Sequence, residues 1–340
     1  MSLNRLFPIV VAALIGCSPD VPTITSFKDE WRLVTVERNS LVALNMPAGS
    51  ETNGNVWSGP NGTPYPIGAT RSFRGDVFLL HAVEPWIIIL DAATLTSRDT
   101  IDFGANGVPH DIAFANATTA YVSLPTVSGI GVVDLTTNTL VRTIEVGAPP
   151  TGIAATGNQI CAVLPSTNEA VIIDSRTNNV EARVGTGRAP MFVEADQLNS
   201  LFCIVCLGSG KIDADASTVP LLEFLSATTR QILKSMDVSG RATNASAQMP
   251  RGLVVTSGEF AFVPVQNGLV RVNTRQRNRT IVMQQESYDG IVYNPARAEI
   301  LLTRSREGAS TCEIIDEFGE VIRSSVTRPD SVRTVFAVGP

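Results

Sequence analysis

A unit of about forty residues recurs along this chain, and that recurrence restricts the fold more than any other feature. Residues 109–148 and 149–187 show it best. Each copy opens on proline and turn-forming residues, Pro109-His110-Asp111 and Pro150-Thr151-Gly152. An apolar strand follows (112–114; 153–155), then a polar turn and a second strand (120–124; 160–164) ended by Pro125 or Pro165. A third strand closes on an acid, Asp134 or Asp174, and a fourth alternates in polarity (141–146; 180–184). Four short strands per unit, with Gly or Pro at nearly every joint, are the pattern of a β-propeller blade.

The repeat can be followed through the chain. The closing polar position recurs at Asn45, Asp91, Asp134, Asp174, Ser226, Asn273 and Asp316, at spacings of 46, 43, 40, 52, 47 and 43. The opening motif recurs around Ile67, His110, Thr151, Met191, Arg251, Asp289 and Asp330. Seven openers and seven closers predict an all-β fold: a seven-bladed β-propeller with four antiparallel strands per blade. The first closer has no opener before it, and one strand, 332–338, follows the last opener. The C-terminal strand is therefore expected to pair with the N-terminal strands, 31–37 and 40–45, and close the ring without a free sheet edge. Residues 47–63, rich in Gly, Asn, Ser and Pro, read as a loop with a short strand at Val56-Trp57.

Closing acids have a local reason. An Asp at the first turn position accepts bonds from backbone N–H groups two and three residues on. Thr94, Thr137, Thr177 and Thr229 lie three residues after their closers, where a hydroxyl can bond back.

The stretch from Ala120-Tyr121-Val122-Ser123 through Asn138-Thr139-Leu140-Val141 to Gly147-Ala148-Pro149-Pro150-Thr151-Gly152 resembles the YVTN family of bacterial β-propeller repeats. The resemblance is strong over 109–188. It thins over 189–340, where Ser226 and Asn273 replace the acid and Gln276 and Gly319 replace the threonine. It implies a secreted or envelope-attached propeller of binding or unassigned function.

Residues 1–17 read as a lipoprotein signal peptide. Arg5 supplies the charged start, and residues 6–15 carry no polar side chain, too short a run to span a bilayer as a helix. Leu14-Ile15-Gly16-Cys17 resembles a lipobox, which implies lipidation of Cys17 and stable membrane anchoring. Ser18 after the cysteine favours the outer membrane under the usual Gram-negative sorting rule. Residues 18–28 are a tether and 29–340 the propeller.

Composition narrows the functional classes. With 26 Lys and Arg against 32 Asp and Glu, the net charge of −6 gives no basis for nucleic-acid binding. Cys203 and Cys206 share one extended strand, so their Cα atoms lie about 10 Å apart on opposite faces, which removes a disulfide, redox or zinc reading. Cys161, Cys203, Cys206 and Cys312 read as buried free thiols, with a Cys161–Cys203 pairing across blades as the alternative. Asp213-Ala214-Asp215 starts like a calcium loop, but Thr218 stands where Gly is needed and Phe224 where Glu is needed. No cofactor and no metal-ligand set is expected.

Two histidines, no Gly-x-Ser-x-Gly elbow and no phosphate loop favour a binding protein over an enzyme. Two long connections, Gly208–Pro220 and Ser239–Met249, leave one face of the ring and suit a protein or glycan partner. The openers converge at the mouth of the central channel, where His110, Thr151, Arg251, Asp289 and Asp330 are the candidate ligand residues. The expected function is that of a lipid-anchored cell-envelope scaffold or binding module. A hydrolase or lactonase-like activity at the channel mouth is the alternative.

Overall fold

The structure is a computed structural model. It describes residues 31–37, 40–46, 50–57, 59, 65–208, 219–239, 250–265, 268–284, 286–295, 297–306, 309–328 and 332–338. The signal segment 1–17, Cys17 and the tether 18–28 lie outside the described residues, as does most of each long connection.

Every described strand belongs to a four-stranded antiparallel sheet of a β-propeller. The expectation of a seven-bladed propeller is corrected: six blades, not seven, are each built from one continuous segment. These span 67–102, 111–145, 153–185, 190–237, 254–284 and 290–328. The remaining sheet is composite, in the order Val332–Val338, Trp31–Glu37, Ser40–Met46, Ser50–Trp57. Its Val332–Val338 strand runs antiparallel to Trp31–Glu37 and contacts the first strands of the sixth and first continuous blades. Strand pairing thus joins the two ends of the propeller segment.

The sequence reading of 47–63 as mainly loop is also corrected, because Ser50–Trp57 is a strand. It is an outer strand that pairs on one side with Ser40–Met46 through two register shifts. An outer strand needs ladder hydrogen bonds on one edge and no continuous apolar face, so its polar sequence carries little strand signal.

Blades adhere through apolar layers between neighbouring sheets. One layer joins the third and fourth blades through Cys161, Val163 and Ile172 on one side and Phe202, Ile204 and Cys206 on the other. The next, between the fourth and fifth blades, holds Cys203, Phe224, Val263 and Val270. Cys203 and Cys206 therefore point to opposite faces of strand Leu201–Cys206, and all four described cysteines are buried free thiols. The Cys161–Cys203 pairing is absent. Burial pushes the Cys312 thiol up to about 12, with Glu313 adding to the effect.

Closing turns follow one geometry. The Asp91 carboxylate accepts from the backbone N–H groups of Ala93 and Thr94 at 2.8 and 2.8 Å. Asp134 and Asp174 accept from Thr136 and Arg176 at 2.8 and 2.8 Å. The hydroxyl of Thr94 bonds back to its acid at 3.1 Å, as expected. Thr137 and Thr177 do not: Thr137 pairs with the Thr139 hydroxyl, and Thr177 accepts from the Asn179 N–H. The fourth residue after the closer is left-handed in five blades: Leu95, Asn138, Asn178, Arg230 and Arg277 have φ between 52 and 58°. A register shift follows in the ladder, as when Val132 and Val133 pair with Arg142 and Leu140. A turn ending in a left-handed residue with an adjoining bulge fits the strand twist, and among residues other than glycine asparagine tolerates it well.

Crowding at the axis is visible at Gly152, at the start of the third blade. A Cβ there would stand 2.9 Å from the Met191 carbonyl oxygen and 3.0 Å from the Val193 nitrogen of the next blade. The Gly152 N–H donates to that carbonyl at 3.2 Å. Glycine lets two first strands approach to backbone contact.

Candidate ligand site at the channel mouth

First strands of the blades line the central channel. At its mouth is a cavity of about 470 Å³, bordered by Gly68, His81, His110, Met191, Arg251 and Asp289. His110, Arg251 and Asp289 come together there as the repeat pattern predicts. Arg251 Nη1 stands 3.5 Å from Asp289 Oδ1, and the two side chains are 52% and 38% exposed, an open ion pair.

Other openers behave differently. Ile67 is buried with Trp57, Tyr65, Val77 and Leu79 between the composite sheet and the first blade, and Gly68 lines the mouth instead. A register shift between Ile67 and Ala69 turns the strand by one position, which moves side chains to the other face. The Thr151 hydroxyl donates to the Met191 carbonyl at 3.1 Å and ties the third blade to the fourth. Asp330 lies outside the described residues.

Deeper in the channel is a constellation of which the opener motif contains only Asp111. Arg71, on the first strand of the first blade (Ile67–Phe73), places Nε and Nη2 at 3.1 and 3.2 Å from the Asp111 oxygens. Its Nη2 also stands 3.1 Å from Oε1 of Glu194, on the first strand of the fourth blade (Pro190–Asp196). Asp111 accepts from the backbone N–H groups of Ile112 at 2.9 Å and Ile153 at 3.3 Å. Arg71 and Asp111 come from neighbouring blades, and Glu194 of the fourth blade reaches Arg71 from across the channel. Arg71 and Glu194 also line two further cavities, of about 290 and 260 Å³, so the pair forms the waist of the channel.

Charge at this waist does not cancel, since one guanidinium meets two carboxylates. Asp111 holds the Arg71 guanidinium firmly protonated. Burial pushes the Glu194 carboxyl above the usual range, Arg71 opposes that, and Asp111 adds to it. Both Arg71 and Glu194 remain reachable from the channel space, at 39% and 30% exposure.

His81, at the mouth, is buried against Tyr65, with ring centroids 4.5 Å apart. Its Nδ1 accepts from the backbone N–H groups of Val83 at 3.1 Å and Glu84 at 2.7 Å, which fixes the turn after the second strand. Burial lowers its pKa, so the ring is neutral with the remaining proton on Nε2. Among the described residues no group of His, Cys, Asp and Glu is arranged to hold a metal ion.

Sequence reasoning missed Arg71, Asp111 and Glu194 as a set. The available signal was a charged residue in mid-strand, Arg71 and Glu194, within strands that crowd the axis. Nothing in the sequence paired them.

No family model matches the chain, and no curated protein sequence matches it. Solved structures do. A "putative 6-phosphogluconolactonase" from Bacteroides uniformis is 12% identical with a TM-score of 0.67, over 92% of this chain and 100% of that one. A functionally unknown protein from Desulfotomaculum acetoxidans is 11% identical at a TM-score of 0.67, over 91% and 99%. Hydrazine synthase from Kuenenia stuttgartiensis is 12% identical at 0.60, over 78% and 92%. At such identities the likeness concerns architecture: the chain shares the β-propeller fold with these proteins.

Proposed function

We propose that the chain is a binding protein of the bacterial cell envelope, lipid-anchored through Cys17, whose channel mouth takes a small hydroxyl-rich ligand of glycan type. The observation that carries this reading is the cavity of about 470 Å³ whose wall holds the donors Arg71 and Arg251 and the acceptors Asp111, Glu194 and Asp289 among apolar residues. Sites for small ligands fall in the range of about 300–1,000 Å³, with a few convergent polar groups among apolar ones. The open Arg251–Asp289 pair offers a donor and an acceptor that a hydroxyl can bridge without breaking a tight contact. Met191 and Ile291 give apolar surface for the C–H face of a sugar ring. The lipobox and the resemblance to YVTN repeats supply the envelope address.

A calorimetric screen of mono- and disaccharides, neutral and acidic, tests this. At least one sugar should bind, and Arg251→Ala should weaken it about tenfold or more, the worth of one charge-assisted hydrogen bond. Failure of every sugar to bind would remove the reading.

Catalysis is the second reading, favoured by one observation. Glu194 has a raised pKa beside Arg71 on the cavity floor, the condition a general base needs, with the guanidinium placed to receive a developing oxyanion. The structural neighbour described as a lactonase makes a sugar lactone the first substrate to try. Hydrolysis of δ-gluconolactone above the uncatalysed rate, lost in Glu194→Gln, is the result this reading requires.

A further inference from the structure

We propose that the ligand of the channel mouth carries a carboxylate, and that Glu194 holds on Arg71 the place this carboxylate takes. The inference rests on the mouth being a ligand site, as argued above.

The two acids around Arg71 are held in different ways. Asp111 grips the guanidinium fork with both oxygens and is itself fixed by two backbone N–H groups. That is the arrangement of a permanent partner. Glu194 meets one nitrogen, Nη2, already shared with Asp111. Among the described residues Arg71 is its polar side-chain partner. Glu194 is therefore the exchangeable carboxylate of the three-residue set. Both acids border the mouth cavity, and Glu194 is the more accessible, at 30% exposure against 12% for Asp111. A sugar hydroxyl cannot replace a carboxylate on a guanidinium at equal strength, whereas a uronate carboxylate can.

Displacement has a protonic consequence. Three influences act on Glu194: burial and Asp111 raise its pKa, and Arg71 lowers it. Displacement removes Arg71 and brings a second anion near. The other titratable groups bordering the same spaces are Cys203 on the paired strand, His81, His110, Arg251 and Asp289 at the mouth, and Tyr293 in the adjoining cavity. Arg251 is the one further cation among them and is engaged with Asp289. Both remaining influences favour the neutral acid, so Glu194 takes up a proton as the ligand binds. By linkage, a reaction that takes up a proton is favoured as pH falls, by up to about tenfold per pH unit.

Calorimetry on the full chain with D-glucuronate and its neutral counterpart D-glucose, in two buffers of unequal ionisation heat, tests this. Glucuronate should bind about tenfold or more tightly than glucose and take up on the order of one proton. Its affinity should fall as pH rises through the range in which Glu194 of the complex gives up its proton. Glu194→Gln should keep glucuronate binding and abolish the proton uptake. Equal affinity for glucose would overturn the carboxylate while leaving the mouth as a sugar site. Glucuronate binding without proton uptake would overturn the displacement. Binding of neither sugar would overturn both readings. The wild-type measurements decide the matter even if the variant does not fold.

Discussion

Replacing Phe202 by alanine is expected to destabilise the propeller by about 3–5 kcal/mol. Phe202 is fully buried in the second strand of the fourth blade, within the layer that also holds Cys161, Val163 and Ile172 of the third. Truncation removes the transfer free energy of the ring and leaves a cavity that two pinned sheets cannot collapse into. They cannot approach further because Gly152 already brings the two first strands to backbone contact. Chemical denaturation against wild type measures the loss, with Leu198→Ala as control; Leu198 is 66% exposed and should cost less than about 0.5 kcal/mol. A loss below about 1 kcal/mol for Phe202→Ala would mean that the interface repacks, contrary to the rigid layer described here.

Asp111→Ala is expected to cost about 2–3 kcal/mol. Removing one partner of a fully buried ion pair costs about 3–5 kcal/mol, and the 39% exposure of Arg71 lowers the figure through solvent screening. The loss has two parts. Arg71 keeps the single contact to Glu194, and the Ile112 and Ile153 N–H groups lose their acceptor. Asp111→Asn separates them, because the amide oxygen can still accept from the backbone while the charge is gone. It should recover about half of the loss in the same denaturation series. If both variants were as stable as wild type, the waist would contribute nothing to the fold and Arg71 would be solvated in the channel.

Legibility followed the range of the interactions. The closing turns at Asp91, Asp134 and Asp174 could be read because a carboxylate and the N–H groups it satisfies are a few residues apart. Left-handed Asn138 and Asn178 are recognisable in the same way. Leu95, Arg230 and Arg277 take the same conformation without any residue preference to show it. There the strand pairing on both sides imposes the turn. Ser50–Trp57 was hidden for a related reason: as an outer strand it draws its order from a neighbour's edge rather than from its own pattern.

At the channel, placement along the chain and placement in space separate. The repeat brings the openers to one end of the ring, and His110, Arg251 and Asp289 do line the mouth. A bulge after Ile67 then sends that side chain into the interblade layer, because a shift of one position reverses every facing.

By itself, then, the sequence determined the blade as a unit, its four strands, its turns and the pairing of the chain ends, since each depends on local chemistry or on a repeat. Tertiary structure alone decided that Arg71, Asp111 and Glu194 meet. They come from three separate blades, and only the geometry of the ring makes residues so distant in the chain face each other across a channel narrow enough for one guanidinium to span.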